Sequence, residues 1–300
     1  MTEQYLNFLD HLAKSPYFIS DGGIGTYLQS HGLEPGDSPE KLNLTQPTVI
    51  RQMAKSFFDA GSDMVLTNSF GGNKFMLKKY GVESQLHEIN REAASLGRMA
   101  AGENQWVIGS IGPSGEFLQP LGNVSHEEMY DAFAAQAQAL EEGGANGILV
   151  ETMTSLDEIT IAIDAIHKST ALPILATMTF DKGPRGYFSM MGVTPDQTVT
   201  ALSNTNVAVL GANCGNGIDQ MTEIFELLRR TSSKPILIHS NAGIPKIVGK
   251  EVVYNEEPEY MAEYFISLIE RGAKIVGGCC GVTPKHIEML RDLLDKKGLC

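Results

Sequence analysis

Eight short apolar stretches alternate with stretches of amphipathic helical spacing through almost the whole chain. Most of them are continuously apolar, which is typical of parallel strands buried on both faces. Such an alternation predicts an α/β fold, and eight repeats favour a closed (β/α)8 TIM barrel with a short N-terminal helix over a doubly wound open sheet. The apolar stretches lie at residues 17–21, 63–67, 106–111, 147–151, 173–179, 207–213, 235–241 and 274–278.

The chain has no long low-complexity segment or Pro/Ser-rich linker that would mark a domain boundary. Barrels of this class commonly run to about 250 residues as one unit, so 300 residues do not require two domains. The sequence therefore predicts a single barrel domain over residues 1–300.

Polar and thiol side chains cluster where the predicted strands end. In a (β/α)8 barrel the carboxyl ends of the strands line the active mouth. These positions are therefore the first candidates for a functional site. They hold Asp21, Asn68, Glu151, Cys214, Asn241, Cys279 and Cys280.

The chain has four cysteines, which are too few for a disulfide scaffold at this length. Clustered thiols in a reducing compartment more often indicate metal binding or catalysis. A vicinal disulfide between Cys279 and Cys280 is the strained alternative, and Cys214 by itself is equally typical of a small buried hydrophobe. Cys300, the last residue, is a poor ligand candidate, and His239 inside the seventh strand is equally well explained by packing.

Cys214 and the pair Cys279 and Cys280 follow strands that a barrel places two apart around its mouth. Adjacent side chains on a strand point to opposite faces, so the pair can converge only where the backbone bends; we expect the flanking glycines (277, 278 and 281) to allow this. Three protein thiols with one open position are typical of a catalytic zinc site. Sulfur ligands favour zinc over magnesium or calcium.

A thiolate-rich zinc centre is suited to alkyl transfer onto a second thiol, because zinc holds a bound thiol in its nucleophilic form. Glu151 is placed to bind an ammonium group, and backbone N–H groups of the loop at Asp21, Gly22 and Gly23 are placed to bind a carboxylate. The substrate would then have the shape of an amino acid. Glu151 could equally form a structural ion pair, and glycine loops also serve ordinary turns.

The charge and the N-terminus exclude several classes of function. A formal charge of −13 disfavours nucleic acid and anionic membrane surfaces. The N-terminal residues carry acids rather than a basic targeting region, and no apolar run reaches the length of a membrane span. We therefore expect a soluble cytoplasmic protein whose partner is a small molecule or a protein with a basic patch.

The strand-end motifs, taken in order, resemble those of the homocysteine S-methyltransferase family. The resemblance extends from about residue 17 to residue 290. The matching motifs are Asp21–Thr26, Lys41–Thr45, Thr67–Gly71, Gly109–Pro113, Leu149–Thr152, Gly211–Gly215, Asn241–Pro245 and Gly277–Pro284.

This resemblance implies a (β/α)8 methyltransferase that moves a methyl group to the thiol of homocysteine and so produces methionine. It implies Zn2+ as the cofactor, with Cys214, Cys279 and Cys280 as its ligands. By the same resemblance Glu151 holds the substrate amino group, and Asp21 with Gly22 and Gly23 forms the homocysteine-binding first turn. Asn241 would lie near the metal.

The sequence departs from the family pattern at residues 183–192, after the fifth strand, so the methyl donor stays open. S-methylmethionine, betaine, methylfolate and a separate methylcorrinoid protein are the alternatives. Two further alternatives are another thiol acceptor and a non-catalytic module that binds zinc or homocysteine. Met190 and Met191 in this segment would line a pocket, dock a hydrophobic partner or fill a gap.

Overall fold

The computed structural model describes residues 2–249 and 251–299, so Cys300 lies outside the described residues. Twelve α-helices are described, several of them opened by proline in the first turn or by a capping side chain. They are α1 (Thr2–Lys14), α2 (Ile24–Ser30), α3 (Leu42–Thr45), α4 (Pro47–Asp59), α5 (Lys74–Lys79), α6 (Leu86–Ala100), α7 (His126–Glu142), α8 (Leu156–Ser169), α9 (Pro195–Leu202), α10 (Ile218–Thr231), α11 (Pro258–Glu270) and α12 (Pro284–Lys297).

Twelve strands are described, eight in one sheet and four in two hairpins. They are β1 (Phe18–Ile19), β2 (Met64–Leu66), β3 (Trp106–Ile111), β4 (Gly147–Met153), β5 (Ile174–Met178), β6 (Asp181–Gly183), β7 (Gly186–Phe188), β8 (Val207–Asn213), β9 (Ile236–Ser240), β10 (Lys246–Val248), β11 (Glu251–Val253) and β12 (Ile275–Gly278).

The eight-stranded sheet is parallel, in the order β1-β12-β9-β8-β5-β4-β3-β2, and helices follow its strands along the chain. This is the order of a (β/α)8 barrel, in which each strand lies beside the next strand of the repeat. The predicted fold class is confirmed. Within the described residues, no helix is long and apolar enough to cross a membrane.

The barrel closes between β1 and β2 through side chains as well as backbone. The Asp63 N–H donates to the Ile19 carbonyl at 2.7 Å, and the Ile19 N–H donates to the Asp63 carboxylate at 2.7 Å. The Leu66 N–H donates to the Asp21 carboxylate, also at 2.7 Å. Because β1 has only two residues, these carboxylates replace part of a regular ladder at this seam.

Two hydrophobic clusters surround the sheet. The larger one fills the layer between the sheet and the helices, and the smaller one fills the barrel interior near the amino ends of the strands. Helix α1 covers that end: the Phe8 ring contacts Trp106 at 5.5 Å and Phe18 at 6.1 Å between centroids. The predicted N-terminal helix therefore closes the end of the barrel opposite the strand-end residues.

The ends of several helices are set by local residue types. A capping box at Ser125 opens α7, and Pro47 opens α4. A short 3-10 turn precedes α6. The β6–β7 and β10–β11 hairpins were not predicted, because short exposed strands lack the continuous apolar pattern of the buried ones.

Candidate metal and substrate site

The structure brings the three predicted thiols together at the carboxyl end of the barrel. The sulfur atoms of Cys214, Cys279 and Cys280 all lie within 4.8 Å of one another. Cys214 follows β8 and the pair follows β12, and only β9 separates these strands in the sheet. All three are free cysteines, so the strained vicinal disulfide is not formed.

Cys214 reaches the cluster through an unusual backbone conformation. Its φ is 61°, in the left-handed region that residues other than glycine seldom adopt. Two hydrogen bonds hold the turn: the Cys214 N–H donates to the His239 carbonyl at 3.0 Å, and the Asn216 N–H donates to the Cys214 carbonyl at 2.8 Å. Such strain persists where the surrounding structure enforces it, commonly at functional sites.

The loop at Cys279 and Cys280 is tied to the end of β9. The Cys279 N–H donates to the Ser240 carbonyl at 2.7 Å, and the Cys280 carbonyl accepts from Ala242 at 2.9 Å. Gly281 supplies the bend with a φ of 83°, and a Cβ there would lie 2.3 Å from the ring of Tyr254.

The prediction that Gly277 and Gly278 also supply this bend is wrong. Both belong to the extended strand β12, and neither has a positive φ. Neighbouring residues leave no room for a side chain at either position. A Cβ added at Gly277 would lie 2.7 Å from the Ser20 Cβ, and one added at Gly278 would lie 2.2 Å from Val282. Here the need for glycine comes from packing rather than from backbone conformation.

Hydrogen bonds among the thiols divide their protons unequally. Donation to Cys214 and Cys280 raises the pKa of Cys279 well above its ordinary value. The thiols of Cys214 and Cys279, and then Tyr254, donate to Cys280 and lower its pKa. Three thiolates this close together repel one another, and a bound cation would favour their joint ionisation.

The residues present fit a bound metal ion. Three sulfurs at this spacing form a soft donor set. Asn241, on the β9 exit between the two cysteine strands, is buried, and its Oδ1 has no hydrogen-bond partner among the described residues. His239 does not belong to the thiol cluster; burial lowers its pKa to about 3, so its ring is a neutral part of the core.

A cavity of about 380 Å³ opens beside the thiols. Glu151 lies in its wall together with the three cysteines, so one space is shared by a carboxyl group and the sulfur cluster. Burial, opposed by the hydrogen bond from Ser110, raises the pKa of Glu151 to about 8, and the nearby Asp21 adds to the rise. The Glu151 carboxyl group therefore gains or loses its proton near neutral pH.

One N–H group of the glycine loop is already used within the protein. Gly22 and Gly23 line the cavity, but the Gly23 N–H already donates to the Val282 carbonyl at 2.9 Å. It is thus not free for a substrate carboxylate. A Cβ on Gly22 would lie 2.4 Å from the same carbonyl oxygen, so close approach of two loops explains the glycine.

Asp21 and Asn241 lie next to the cavity rather than among the described residues that line it. Asp21 is buried at the β1–β2 seam, where its carboxylate accepts from Leu66 and from the Ser20 hydroxyl. Burial raises its pKa to about 7. Its position near Glu151 makes it part of the electrostatic surroundings of the site.

Sequence reasoning missed three residues of this site. Glu40 is a buried carboxylate in the cavity wall; it accepts from the Gly71 N–H at 2.8 Å and from the Ser38 hydroxyl at 2.9 Å. Its only signal was its position just before the Lys41–Thr45 motif. Tyr254 follows β11 and contacts Cys280, which no local pattern indicates. Asn213 bonds to Glu151 at 3.2 Å; the strand-end rule places it beside Cys214 and could have found it.

A comparison with models of protein families shows the family to which the chain belongs. The family model described as homocysteine S-methyltransferase matches residues 18–294. The chain belongs to the homocysteine S-methyltransferase family. The predicted resemblance is therefore confirmed over nearly the whole barrel.

Two relatives of this chain are proteins named methionine synthase. The one from Mycobacterium tuberculosis is 31% identical and the one from Mycobacterium leprae is 30% identical, each over 90% of this chain. The chain spans 24% of the length of each relative.

Solved structures show the same barrel. The metallated form of the homocysteine methyltransferase MmuM from Escherichia coli superposes with a TM-score of 0.78 at 21% identity, covering 95% of this chain and 98% of that chain. The apo form of MmuM superposes with a TM-score of 0.72. At this identity the likeness supports the fold.

Proposed function

We propose that this chain is a zinc-dependent methyltransferase that transfers a methyl group to the thiol of homocysteine and yields methionine. The observation that carries the proposal is the shared cavity, whose wall holds three converging thiols and the carboxyl group of Glu151. A metal site and an ammonium site facing one space suit an amino acid with a thiol. Membership of the family supports the same reaction.

Zinc is the proposed cofactor, held by Cys214, Cys279 and Cys280. Sulfur ligands favour this metal, and three protein ligands leave a position for substrate, with Asn241 close by on the β9 exit. When bound, zinc lowers the pKa of a ligated thiol, so that the sulfur of the substrate is held as thiolate at neutral pH. The hydrogen bond from Tyr254 steadies Cys280 within this set.

Glu151 is the proposed partner of the homocysteine ammonium group. Ser110 donates to one oxygen of Glu151 and Asn213 to the other, so the carboxyl group is held in one orientation. An incoming ammonium would lower the pKa of Glu151 and favour its ionised form. Gly22 and Gly23 shape the wall where the substrate would lie, and Asp21 holds that wall to β2.

Methyl transfer then needs a donor aligned with the thiolate. The carbon–sulfur bond to homocysteine forms as the bond between the donor and its methyl group breaks, and positioning supplies most of the catalysis. The barrel is proposed to act as one domain over residues 1–300 in the cytoplasm, where the cysteines stay reduced. The donor is a soluble small molecule or a methyl group on a separate corrinoid protein.

The test is a donor panel. Zinc-loaded protein is incubated with homocysteine and, in separate reactions, S-methylmethionine, betaine, methylfolate, methylcobalamin and a methylcorrinoid protein, and methionine is measured by mass spectrometry. We expect methionine from at least one donor and none from a Cys279→Ser variant. Homocysteine binding without methionine from any donor would contradict the proposal and favour a non-catalytic binding module. Transfer to a different thiol alone would replace homocysteine as acceptor.

A further inference from the structure

Asn213 is the last residue of β8 and directly precedes Cys214. Its side chain is completely buried, and both ends of its amide group form hydrogen bonds. Its Nδ2 donates to Glu151 at 3.2 Å and to the Thr152 hydroxyl at 2.7 Å. Its Oδ1 accepts from the Thr152 N–H at 2.8 Å and from the Thr177 hydroxyl at 2.7 Å. Every donor and acceptor position of the amide is therefore used.

The partner of Asn213 on β4 is an irregular part of the strand. The register between β4 and β5 shifts between Val150 and Met153, and Thr152 has a φ of 60°. A β-branched residue in this region is strained. The Thr152 N–H bonds to the Asn213 side chain, so the amide stabilises the irregularity that places Glu151 in the cavity wall.

We infer that Asn213 is a positioning and specificity-determining residue, which fixes the separation between the Glu151 carboxylate and the Cys214 sulfur. It is covalently linked to Cys214 and hydrogen-bonded to Glu151, so one residue holds both ends of the substrate site. The inference rests on the proposed function, because it assumes that the ammonium binds at Glu151 and the thiol at the metal.

This separation selects among amino-acid thiols by chain length. Homocysteine has one methylene group more than cysteine between its ammonium-bearing carbon and its sulfur. A site whose two ends are held at the spacing of homocysteine cannot be satisfied at both ends by cysteine. A difference of one methylene is worth about 10–200-fold in a well-fitted site. A looser Glu151 should reduce that discrimination.

The test compares homocysteine and cysteine binding in zinc-loaded wild-type protein and Asn213→Asp, by titration calorimetry. The aspartate keeps an oxygen that accepts from Thr152 and Thr177, but it places a second oxygen where Nδ2 donated, beside Glu151. We expect the Kd for homocysteine to rise by about tenfold or more and the Kd for cysteine to change little. Zinc content should stay at the wild-type level. In steady-state assays, KM for homocysteine should rise while kcat at saturation is largely retained.

Two further variants separate positioning from general damage. Thr177→Val removes one hydrogen bond to Asn213 and leaves the hydrogen bond from Asn213 to Glu151. The preference for homocysteine over cysteine should therefore also fall, but by a smaller factor. Thr177→Val also tests the inference if the Asn213→Asp variant does not fold. Asn146→Asp is the matched control, because this buried amide lies at the amino end of β4 and accepts from the Val107 N–H at 2.9 Å. It should leave the preference unchanged.

The outcomes distinguish this inference from the proposed function. Wild-type protein that binds neither thiol would contradict the proposed function. Wild-type protein that prefers homocysteine, together with Asn213→Asp and Thr177→Val variants that keep the same preference, would overturn the inference alone. Equal loss of both affinities with loss of zinc in Asn213→Asp would also overturn it, because Asn213 would then support only the metal ligand.

Discussion

The two ends of the barrel are built differently. At the amino end, helix α1 packs Phe8 and Leu12 into a closed apolar cluster with the first residues of several strands. At the carboxyl end, the described residues leave a cavity, two non-glycine residues with positive φ, and an Asn241 oxygen for which they supply no hydrogen-bond partner.

The difference separates stability from function within one fold. Apolar burial at the amino end contributes to folding whatever the ligand. The strained residues at the carboxyl end, Thr152 and Cys214, both belong to the strand exits that carry the site. Strain of this kind costs free energy and persists where the surrounding structure enforces it. Changes at one end should therefore leave the property of the other end intact.

The largest expected effect is at the thiols. Replacing Cys214, Cys279 and Cys280 together with serine should abolish zinc binding and methyl transfer, because the soft donor set is lost. Metal content is measured by plasma mass spectrometry and folding by circular dichroism. The control is Cys300→Ser, which changes the chain's remaining cysteine. A triple variant with wild-type zinc content would refute the assigned ligands.

Phe8→Ala tests the opposite end. The Phe8 side chain is fully buried, so its truncation should lower the free energy of unfolding by about 3–5 kcal/mol, measured by urea denaturation. The Kd for homocysteine of the folded variant should not change. Phe117→Ala is the matched control at the carboxyl end: this ring is 54% exposed, and its loss should cost less than about 0.5 kcal/mol. An equal loss of unfolding free energy in both variants would contradict this difference between the two ends of the barrel.

Glu151→Gln tests the proposed ammonium site. The amide cannot neutralise an ammonium group, so the Kd for homocysteine should rise about 10–100-fold while zinc content is retained. Glu158→Gln is the control, because this buried carboxylate accepts from the Ser114 N–H at 2.7 Å and lies outside the described wall of the thiol cavity. Unchanged homocysteine affinity in Glu151→Gln would show that the ammonium binds elsewhere.

The smallest effect, taken per pH unit, is a pH dependence of stability. Burial raises the pKa of Asp21 to about 7, so between about pH 4 and pH 7 the native state holds a proton that the unfolded chain releases. The free energy of unfolding of the metal-free protein should therefore fall as pH rises, by at most about 1.4 kcal/mol per pH unit for this group.

Glu151 adds a contribution of the same sign up to about pH 8. Asp21→Asn should reduce the slope, measured by urea denaturation at several pH values. A slope equal to that of the wild type would mean that Asp21 is ionised in the native protein.

Much of the fold was determined by the sequence itself. Continuous apolar stretches, their number and their alternation with helical spacing predicted the barrel, because burial on both faces leaves a local pattern in each strand. The strand-end rule then placed Glu151 and the three cysteines at one mouth. These are properties of residue type and order along the chain.

The tertiary structure alone decided which atoms are already bonded and which are free. The Gly23 N–H is used by Val282, Asp21 closes the β1–β2 seam, and Gly277 is small because Ser20 lies against it. Glu40 and Tyr254 join the site from loops that have no pattern of their own. These contacts join residues far apart in sequence, and their distances follow from closure of the barrel, which no local sequence pattern encodes.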